Sequence, residues 1–492
     1  MAWEWLKNNL DMGFMIRINQ TLLLFTIIVI EGYIVLATEL LAIRQTIPYV
    51  GSGTDTVSII IAAVLMPLAF GYQYGGQFKQ KKIFGYYVTI RKKLILNILI
   101  ASLILLIGMS YKYMKLFFGW LPQIGIEDRL VQTSIYSAIF LVLPIYLLGQ
   151  TVPLISNLFS KEKLSQITGK MLFFSTVGSF LGAILSTLLL MPTIGVHHTV
   201  SLNFVLLAML VIMLSKDKKS IPVFLSITIA LFAMGFNSNT LLRKDHVKKN
   251  NQYSIIAAGT LKNDNRLLKI NGNHSSQYND AREKFEYIEF VERVAIAPIA
   301  GANPPREVLV IGAGGFTFGH DDSNNLYTYV DINEDLKDIA EQYILKEPIG
   351  KNKKFIPLPA RAFLNDTDKK YDVIFIDAYL GGASIPEHLV TQEFFLQVKA
   401  HLKNNAVLVT NLILSPHFNN QFTRNIDNTI RSVFPHVSRH IIGEHYKLWD
   451  ESETTMANTI YMYRHEDNYS SGHIYTDNKN TVFYDKPKKL TP

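Results

Sequence analysis

Apolar residues are spread unevenly along this chain. Before residue 240 they form long uninterrupted runs, and beyond it they fall into short groups separated by Asn, Asp, Lys and His. Crossing a hydrocarbon layer of roughly 30 Å takes about 20 helical residues. Six runs approach or exceed that length, near residues 19–43, 57–78, 94–111, 130–149, 171–191 and 197–214, and a seventh, IPVFLSITIALFAMGF from Ile221, is marginal. The pattern predicts an α-helical transmembrane bundle of about seven spans over residues 19–240. Ahead of it, residues 1–18 carry Trp3, Trp5, Lys7 and Arg17 among apolar side chains, with no small-residue cleavage site. That suits a helix lying at the bilayer interface and not a signal peptide.

The second half has a different period. Residues 250–300 read as a small β-rich subdomain, with strand-like QYSIIAAG and RLLKING followed by the helix-like REKFEYIEFVERVAIAP. Over residues 305–465, up to seven strand-like segments follow: EVLVIG (307–312), LYTYVD (326–331), KKFIPL (353–358), DVIFIDA (372–378), NAVLVTNL (405–412), HVSRHII (436–442) and NTIYMYR (458–464). Helical patterns such as EDLKDIAEQYIL and TQEFFLQVKAHL fall between them. This alternation predicts an α/β, Rossmann-like doubly wound sheet that binds its ligand at the carboxyl ends of the strands. Residues 466–492 read as a polar tail.

Charge and composition refine this picture. The 492 residues include no cysteine, which excludes disulfides, thiolate metal sites and cysteine nucleophiles. The net charge of +8 comes mostly from short clusters beside apolar segments, the pattern of membrane-flanking charge and not of a nucleic-acid surface. The loop FKQKKIFGYYVTIRKK carries six Lys and Arg and should face the cytoplasm, which places the N-terminus and the loops at 161–163 and 216–219 inside as well. Seven crossings would then put the soluble half outside, whereas the basic RKDHVKK after the last run argues for inside. Either the last run does not cross or the charge rule fails once. A cofactor made in the cytoplasm places the soluble half there. Glu31 and Glu39 lie within the first run, where an ionised carboxylate costs roughly 2.5 kcal/mol or more. Two readings stand: pairing with Arg44 or neighbouring polar groups, or an acidic site for a cationic ligand such as a polyamine. Gly178 and Gly182 suit close helix contact. His197 and His198 suit an interface, and no metal site is expected.

The stretch VLVIGAGGFTFGH ends a buried strand in a glycine turn, Gly312, Ala313, Gly314 and Gly315. Such a turn lets the backbone approach a nucleotide, and an acidic residue ending the next strand can take both ribose hydroxyls. Asp331, followed by Ile332, stands at that place, and Asp377 ends the fourth strand. The bland alternative for Asp331 is a solvated strand end. Little more than HDDSNN separates the turn from the second strand, so the intervening helix must be very short. A short helix offers a pyrophosphate little, which favours S-adenosylmethionine over a dinucleotide.

At these residues the soluble half resembles the spermidine synthase family of aminopropyltransferases, and the whole chain resembles bacterial proteins in which that domain follows a multi-span region. The likeness rests on Gln252 and Tyr253 of NQYSII, Asn271 and Gly272, Tyr287 and Glu289 of EYIE, the glycine turn, Asp331 and DVIFIDAYLGGASIPEHLVTQEFF. ATELLAIRQTIPYVG and GKMLFFSTVGSFLGAILSTLLLMPTIG extend it into the first half. The resemblance implies a methyltransferase/spermidine-synthase fold and an integral protein of a bacterial inner membrane. It also implies S-adenosylmethionine or its decarboxylated form as substrate, without metal or nucleic acid. The small-molecule acceptor includes polyamines among its candidates, and a homodimer is among the open assemblies.

Departures from the family pattern bear on the chemistry. Gly315 stands where the family carries the Asp that holds the aminopropyl amine, Leu380 or Gly382 meets the Asp that deprotonates the acceptor, and Pro359 meets the adenine-binding Asp. What the family geometry exposes is the γ-carbon of the sulfonium, so that 5′-methylthioadenosine leaves. Without the base, a displaced group among Asp377, Glu289, Glu387 and His388 would serve an outside amine, or the substrate's own carboxylate would close a lactone. The roles implied are ribose binding by Asp331 and Ile332, a methionyl wall from residues 312–315, an adenine contact at Ala360, and amine binding at Asp377. Tyr379, Tyr287 and Glu289 complete the catalytic set, with Gln252, Tyr253 and Tyr287 on the substrate. Glu387 and His388 are otherwise the start of a helix. A methyltransferase and a non-catalytic nucleotide sensor remain as alternatives.

Overall fold

A computed structural model describes residues 2–492 except 84–85, 159–163, 381–384, 444–454, 464–474, 481 and 483–492, with backbone alone for 2–20, 81–83, 86–87 and 164–165. Gly382 and most of the expected polar tail lie outside the described residues. The chain divides into two compact units. One comprises Met1–Thr46, Val57–Ile126 and Val131–Leu241, and the other Ile47–Thr56, Glu127–Leu130 and Leu242–Pro492.

The first unit is helical. By length and composition alone, six helices among the described residues suffice to cross a membrane: Thr21–Val50, Thr54–Gly76, Arg129–Ser156, Gln166–Ile194, Val196–Leu214 and Ile221–Lys244. The run at residues 94–111 belongs to a bent pair, Ile90–Gly108 and Tyr111–Ile124, which meet at 62° and make a seventh candidate if counted as one span. Residues expected to form a separate interfacial helix instead run unbroken into the first span, as the helix Ala2–Val50. No Gly or Pro lies between Phe14 and Glu31 to stop it. Short π-helical turns at Ala138–Val142 and Leu185–Leu190 stand just before Pro144 and Pro192, where the chain must absorb a missing N–H. Between the helices Thr54–Gly76 and Ile90–Gly108, β1 (Lys81–Ile83) and β2 (Tyr86–Val88) form a small antiparallel pair. The expected close helix contact is present: a Cβ at Gly178 would stand 2.1 Å from the Val29 carbonyl oxygen. Glu31 and Glu39 are buried, and neither carboxylate oxygen of Glu31 has a hydrogen-bond partner among the described residues. His197 is also buried, with Nε2 2.8 Å from Asn239 Oδ1.

The second unit opens with a four-stranded antiparallel sheet, β3 (Val247–Asn250), β4 (Ile255–Thr260), β5 (Arg266–Ile270) and β6 (Asn273–Tyr278), paired in chain order. A seven-stranded sheet follows: β7 (Glu307–Ile311), β8 (Leu326–Asp331), β9 (Lys353–Pro357), β10 (Tyr371–Ile376), β11 (Leu402–Leu414), β12 (Val437–Ile442) and β13 (Ala457–Tyr463). Its spatial order is β12-β13-β11-β10-β7-β8-β9. Strands β7 to β11 are parallel, whereas β13 lies antiparallel to β11 and β12. All seven strand segments read from the sequence are present. The sheet is covered on both faces: Val308 and Val310 enter one core, and Leu309 and Ile311 the other. Strand order reverses between β7 and β10, which opens a crevice at their carboxyl ends.

The expected short helix between β7 and β8 is absent, and residues 312–325 are turns throughout. Aromatic side chains fill its place. Phe316 packs on Tyr329 and Phe355, and Phe318 on Tyr327 and Phe375. Polar groups tie the loop down: Glu292 Oε1 accepts the Gly319 N–H at 2.6 Å, and Asp322 accepts from the Asn324 N–H at 2.8 Å and the Tyr327 hydroxyl at 2.8 Å.

Candidate active site

A cleft of about 820 Å³ lies at the crevice between β7, β8 and β10. Gly312 leaves β7 with φ +92°, and a Cβ there would stand 2.2 Å from the Asp377 carbonyl oxygen, so only glycine lets the two strand ends approach. The Gly312 N–H donates to the Val330 carbonyl at 2.9 Å and the Asp377 N–H to that of Ile311 at 2.8 Å, which holds the three strand ends level.

Asp331 ends β8 and is half-buried. Its carboxylate accepts the Ala313 N–H at 3.0 Å and the Asn333 N–H at 3.0 Å. Burial pushes its pKa up, while backbone donors from Asn333, Ala313 and Ile332 pull against that shift. The fixed carboxylate is thus joined to the glycine turn itself.

Asp377 follows β10. Its Oδ2 accepts from the Tyr287 hydroxyl at 2.9 Å and its Oδ1 from Asn411 Nδ2 at 2.9 Å. Burial pushes its pKa up to about 6, opposed by those two donors. Burial beside Asp377 holds the Tyr287 and Tyr379 hydroxyls well above the usual phenol range, so both stay neutral. Tyr379 is fixed in turn by donating to the Asn411 carbonyl at 3.0 Å and accepting the Ile413 N–H at 2.8 Å. Asn411 must aim its amide nitrogen at the carboxylate, which leaves its Oδ1 buried without a partner among the described residues. A buried acceptor beside a half-buried carboxylate suits an ammonium or sulfonium ligand.

The structure therefore gathers Gly312, Ala313, Gly314, Asp331, Ile332, Ala360, Asp377, Tyr287 and Tyr379 around one cleft. Gly315 does not line it, because its N–H donates to Ser276 Oγ at 2.8 Å under the turn. Glu289 is exposed and also does not line the cleft; its Oε1 accepts the Lys284 N–H at 3.1 Å. On the helix Glu286–Val291 it lies two positions beyond inward-facing Tyr287, on the opposite side. Gln252 and Tyr253 also lie away from the lining, in the turn before β4. That turn is folded on Asn251, whose Oδ1 accepts the Tyr253 N–H at 2.9 Å and whose Nδ2 donates to Asn333 at 2.8 Å. Glu387 and His388 belong to a single turn, Glu387–Leu389, ahead of the helix that begins at Gln392. His388 faces the cleft, and burial, reinforced by Arg361, holds its imidazole below the usual range. Among the lining residues that escaped the sequence reading are Asn411, Ser276 and Glu286. Among the described residues no cluster of His, Asp and Glu is arranged to hold a metal ion.

Residues 287–442 match the spermine/spermidine synthase domain. A polyamine aminopropyltransferase of Vibrio vulnificus is 32% identical over 145 residues, covering 27% of this chain and 46% of its own. One of Oceanobacillus iheyensis is 26% identical over 303 residues, covering 55% and 56%. The chain thus spans about half the length of these relatives. A probable spermidine synthase of Corynebacterium glutamicum, known as a crystal structure, aligns at 22% identity and a TM-score of 0.38 over 45% of this chain and 80% of its own. The spermidine synthase match contains Tyr287, the glycine turn, Asp331, Asp377 and Asn411.

Proposed function

We propose that this chain is a membrane-bound transferase of the spermidine synthase type. On this reading its C-terminal unit faces the cytoplasm and cleaves the S–Cγ bond of S-adenosylmethionine or its decarboxylated form. The observation that carries the reading is the pairing of two fixed carboxylates across one crevice. Asp331 stands where a ribose is held, and Asp377 lies half-buried beside an unpartnered Asn411 oxygen where a cation is held. The lone pair of an acceptor amine attacks the γ-carbon, the S–Cγ pair stays on sulfur, and neutral 5′-methylthioadenosine leaves. The proton released from the new ammonium passes to Asp377 or to water.

A second reading is internal attack by the substrate's own carboxylate, which closes a lactone and needs no base. It is favoured by Leu380, an apolar residue on the cleft wall whose carbonyl oxygen is taken by Asn271 Nδ2. The detergent-solubilised chain, incubated with each donor with and without polyamine, should release 5′-methylthioadenosine. Release only with polyamine means transfer, and release without it means cyclisation. S-adenosylhomocysteine would overturn both readings in favour of methyl transfer, and tight binding without turnover would leave a sensor.

A further inference from the structure

The walls of the cleft differ in charge. Its carboxylates come from the ends of β8 and β10, as Asp331 and Asp377, and from the start of a helix, as Glu286. The wall beneath the glycine turn comes from β5 and β6 and carries Lys269, His274, Ser275 and Ser276. Lys269 and His274 are cross-strand neighbours in the β5–β6 register. Lys269 has no carboxylate partner among the described residues, and burial together with Lys269 holds the His274 imidazole below its usual range. The free charge of this wall is therefore one ammonium.

The turn itself carries no acidic side chain, and position 315 is closely packed. A Cβ at position 315 would stand 2.8 Å from the Ser276 Cβ and 3.4 Å from the Ile344 Cγ2. Ser276 Oγ is already engaged by the Gly315 N–H, whereas Ser275 Oγ lies over the turn, 3.3 Å from where a Cβ on Gly314 would be. The wall next to the expected methionyl position is built from hydroxyls and a cation.

We infer that this wall receives the α-carboxylate of the donor, with Lys269 as its counter-ion and Ser275 as a hydroxyl donor, so that the donor is intact S-adenosylmethionine and not its decarboxylated form. The inference rests on the S–Cγ cleavage proposed above. It changes the group that moves. Attack at the γ-carbon by an outside amine forms an N–Cγ bond and transfers a 3-amino-3-carboxypropyl group, with the S–Cγ pair left on 5′-methylthioadenosine and one proton released. Internal attack by the retained carboxylate forms the O–Cγ bond of homoserine lactone and needs no second substrate.

Equilibrium dialysis of the solubilised full chain tests this with three probes: S-adenosylmethionine, its decarboxylated form and 5′-methylthioadenosine, which lacks the carboxylate-bearing tail. The wild type should hold S-adenosylmethionine about tenfold or more tightly than the decarboxylated donor. Lys269→Met should shrink that preference to about twofold, and Ser275→Asp, which sets a like charge over the turn, should reverse it. Both variants should bind 5′-methylthioadenosine as the wild type does, which also shows that they fold. Equal or tighter binding of the decarboxylated donor by the wild type, or a preference that survives Lys269→Met, overturns the inference and leaves the nucleoside site standing. Failure of all three probes to bind defeats the S–Cγ reading, and the inference with it.

Discussion

A carboxyl group shielded from water titrates late, and Asp377 does so near 6 because burial outweighs its two hydrogen bonds from Asn411 and Tyr287. Below that pH it is neutral and can neither hold a cation nor take a proton. Release of 5′-methylthioadenosine should therefore fall on the acid side with a midpoint near 6, and Asp377→Asn should lose that limb along with about a hundredfold or more of the rate. Stability should move the other way. A pKa raised on folding favours the fold while the group is protonated, and that advantage is lost as pH rises through about 6. Asp377→Asn, which stays neutral, should match the wild type in thermal unfolding near pH 4 and melt higher near pH 8. A higher wild-type melting temperature at pH 8 would show that the carboxylate is stabilised instead. At Asp331, replacement by Ala removes a charged acceptor tied to the turn at Ala313, and affinity for 5′-methylthioadenosine should drop about tenfold to a hundredfold in dialysis. Both aspartates were legible in the sequence because each ends an apolar strand. Asn411 and Ser276 were not, since a polar residue inside or beside a strand declares nothing until its cross-strand neighbour is known.

The same contrast holds for whole elements. The central strands of the large sheet are legible because both of their faces are buried and they read as near-continuous apolar runs, as in EVLVI and YDVIFI. In the small sheet, β3 (VKKN) and β6 (NHSSQY) are edge strands held by backbone pairing to β4 and β5, and their composition carries no strand signal. Similarly, the run FTFGH after the glycine turn gives no sign that two phenylalanines replace a helix. Phe316 takes this load with a backbone φ of +57° and no exposed surface. Truncating it to Ala leaves a hole between Tyr329 and Phe355, and should cost the C-terminal unit about 3 kcal/mol or more in denaturant unfolding. A loss under about 1 kcal/mol would mean that the loop is not the packing centre its contacts describe. The affinity for 5′-methylthioadenosine should fall with it, because the turn 312–315 is continuous with this plug.

At the scale of the molecule the number of crossings decides sidedness. If the bent pair Ile90–Gly108 and Tyr111–Ile124 is one span, seven crossings satisfy the basic loops at 79–93, 161–163 and 216–219 but set the basic segment after residue 241 on the wrong side. If the pair is re-entrant, six crossings return the C-terminal unit to the cytoplasm but misplace the loops at 161–163 and 216–219. Charge alone therefore favours seven spans by one conflict to two, while a donor made in the cytoplasm favours an even number. The absence of cysteine makes the chain its own background for a decisive measurement. Asn263→Cys places one thiol at an exposed turn between β4 and β5, far in sequence from every span. In intact cells a membrane-impermeant maleimide should leave it unmodified, and permeabilisation should make it react. Lys219→Cys, exposed in the loop before Ile221, then reports whether the last helix crosses: protection of both thiols means that it does not, and labelling of Lys219→Cys alone means that it does. Labelling of Asn263→Cys in intact cells would put the cleft outside the cytoplasm, away from the only compartment that makes its proposed substrate.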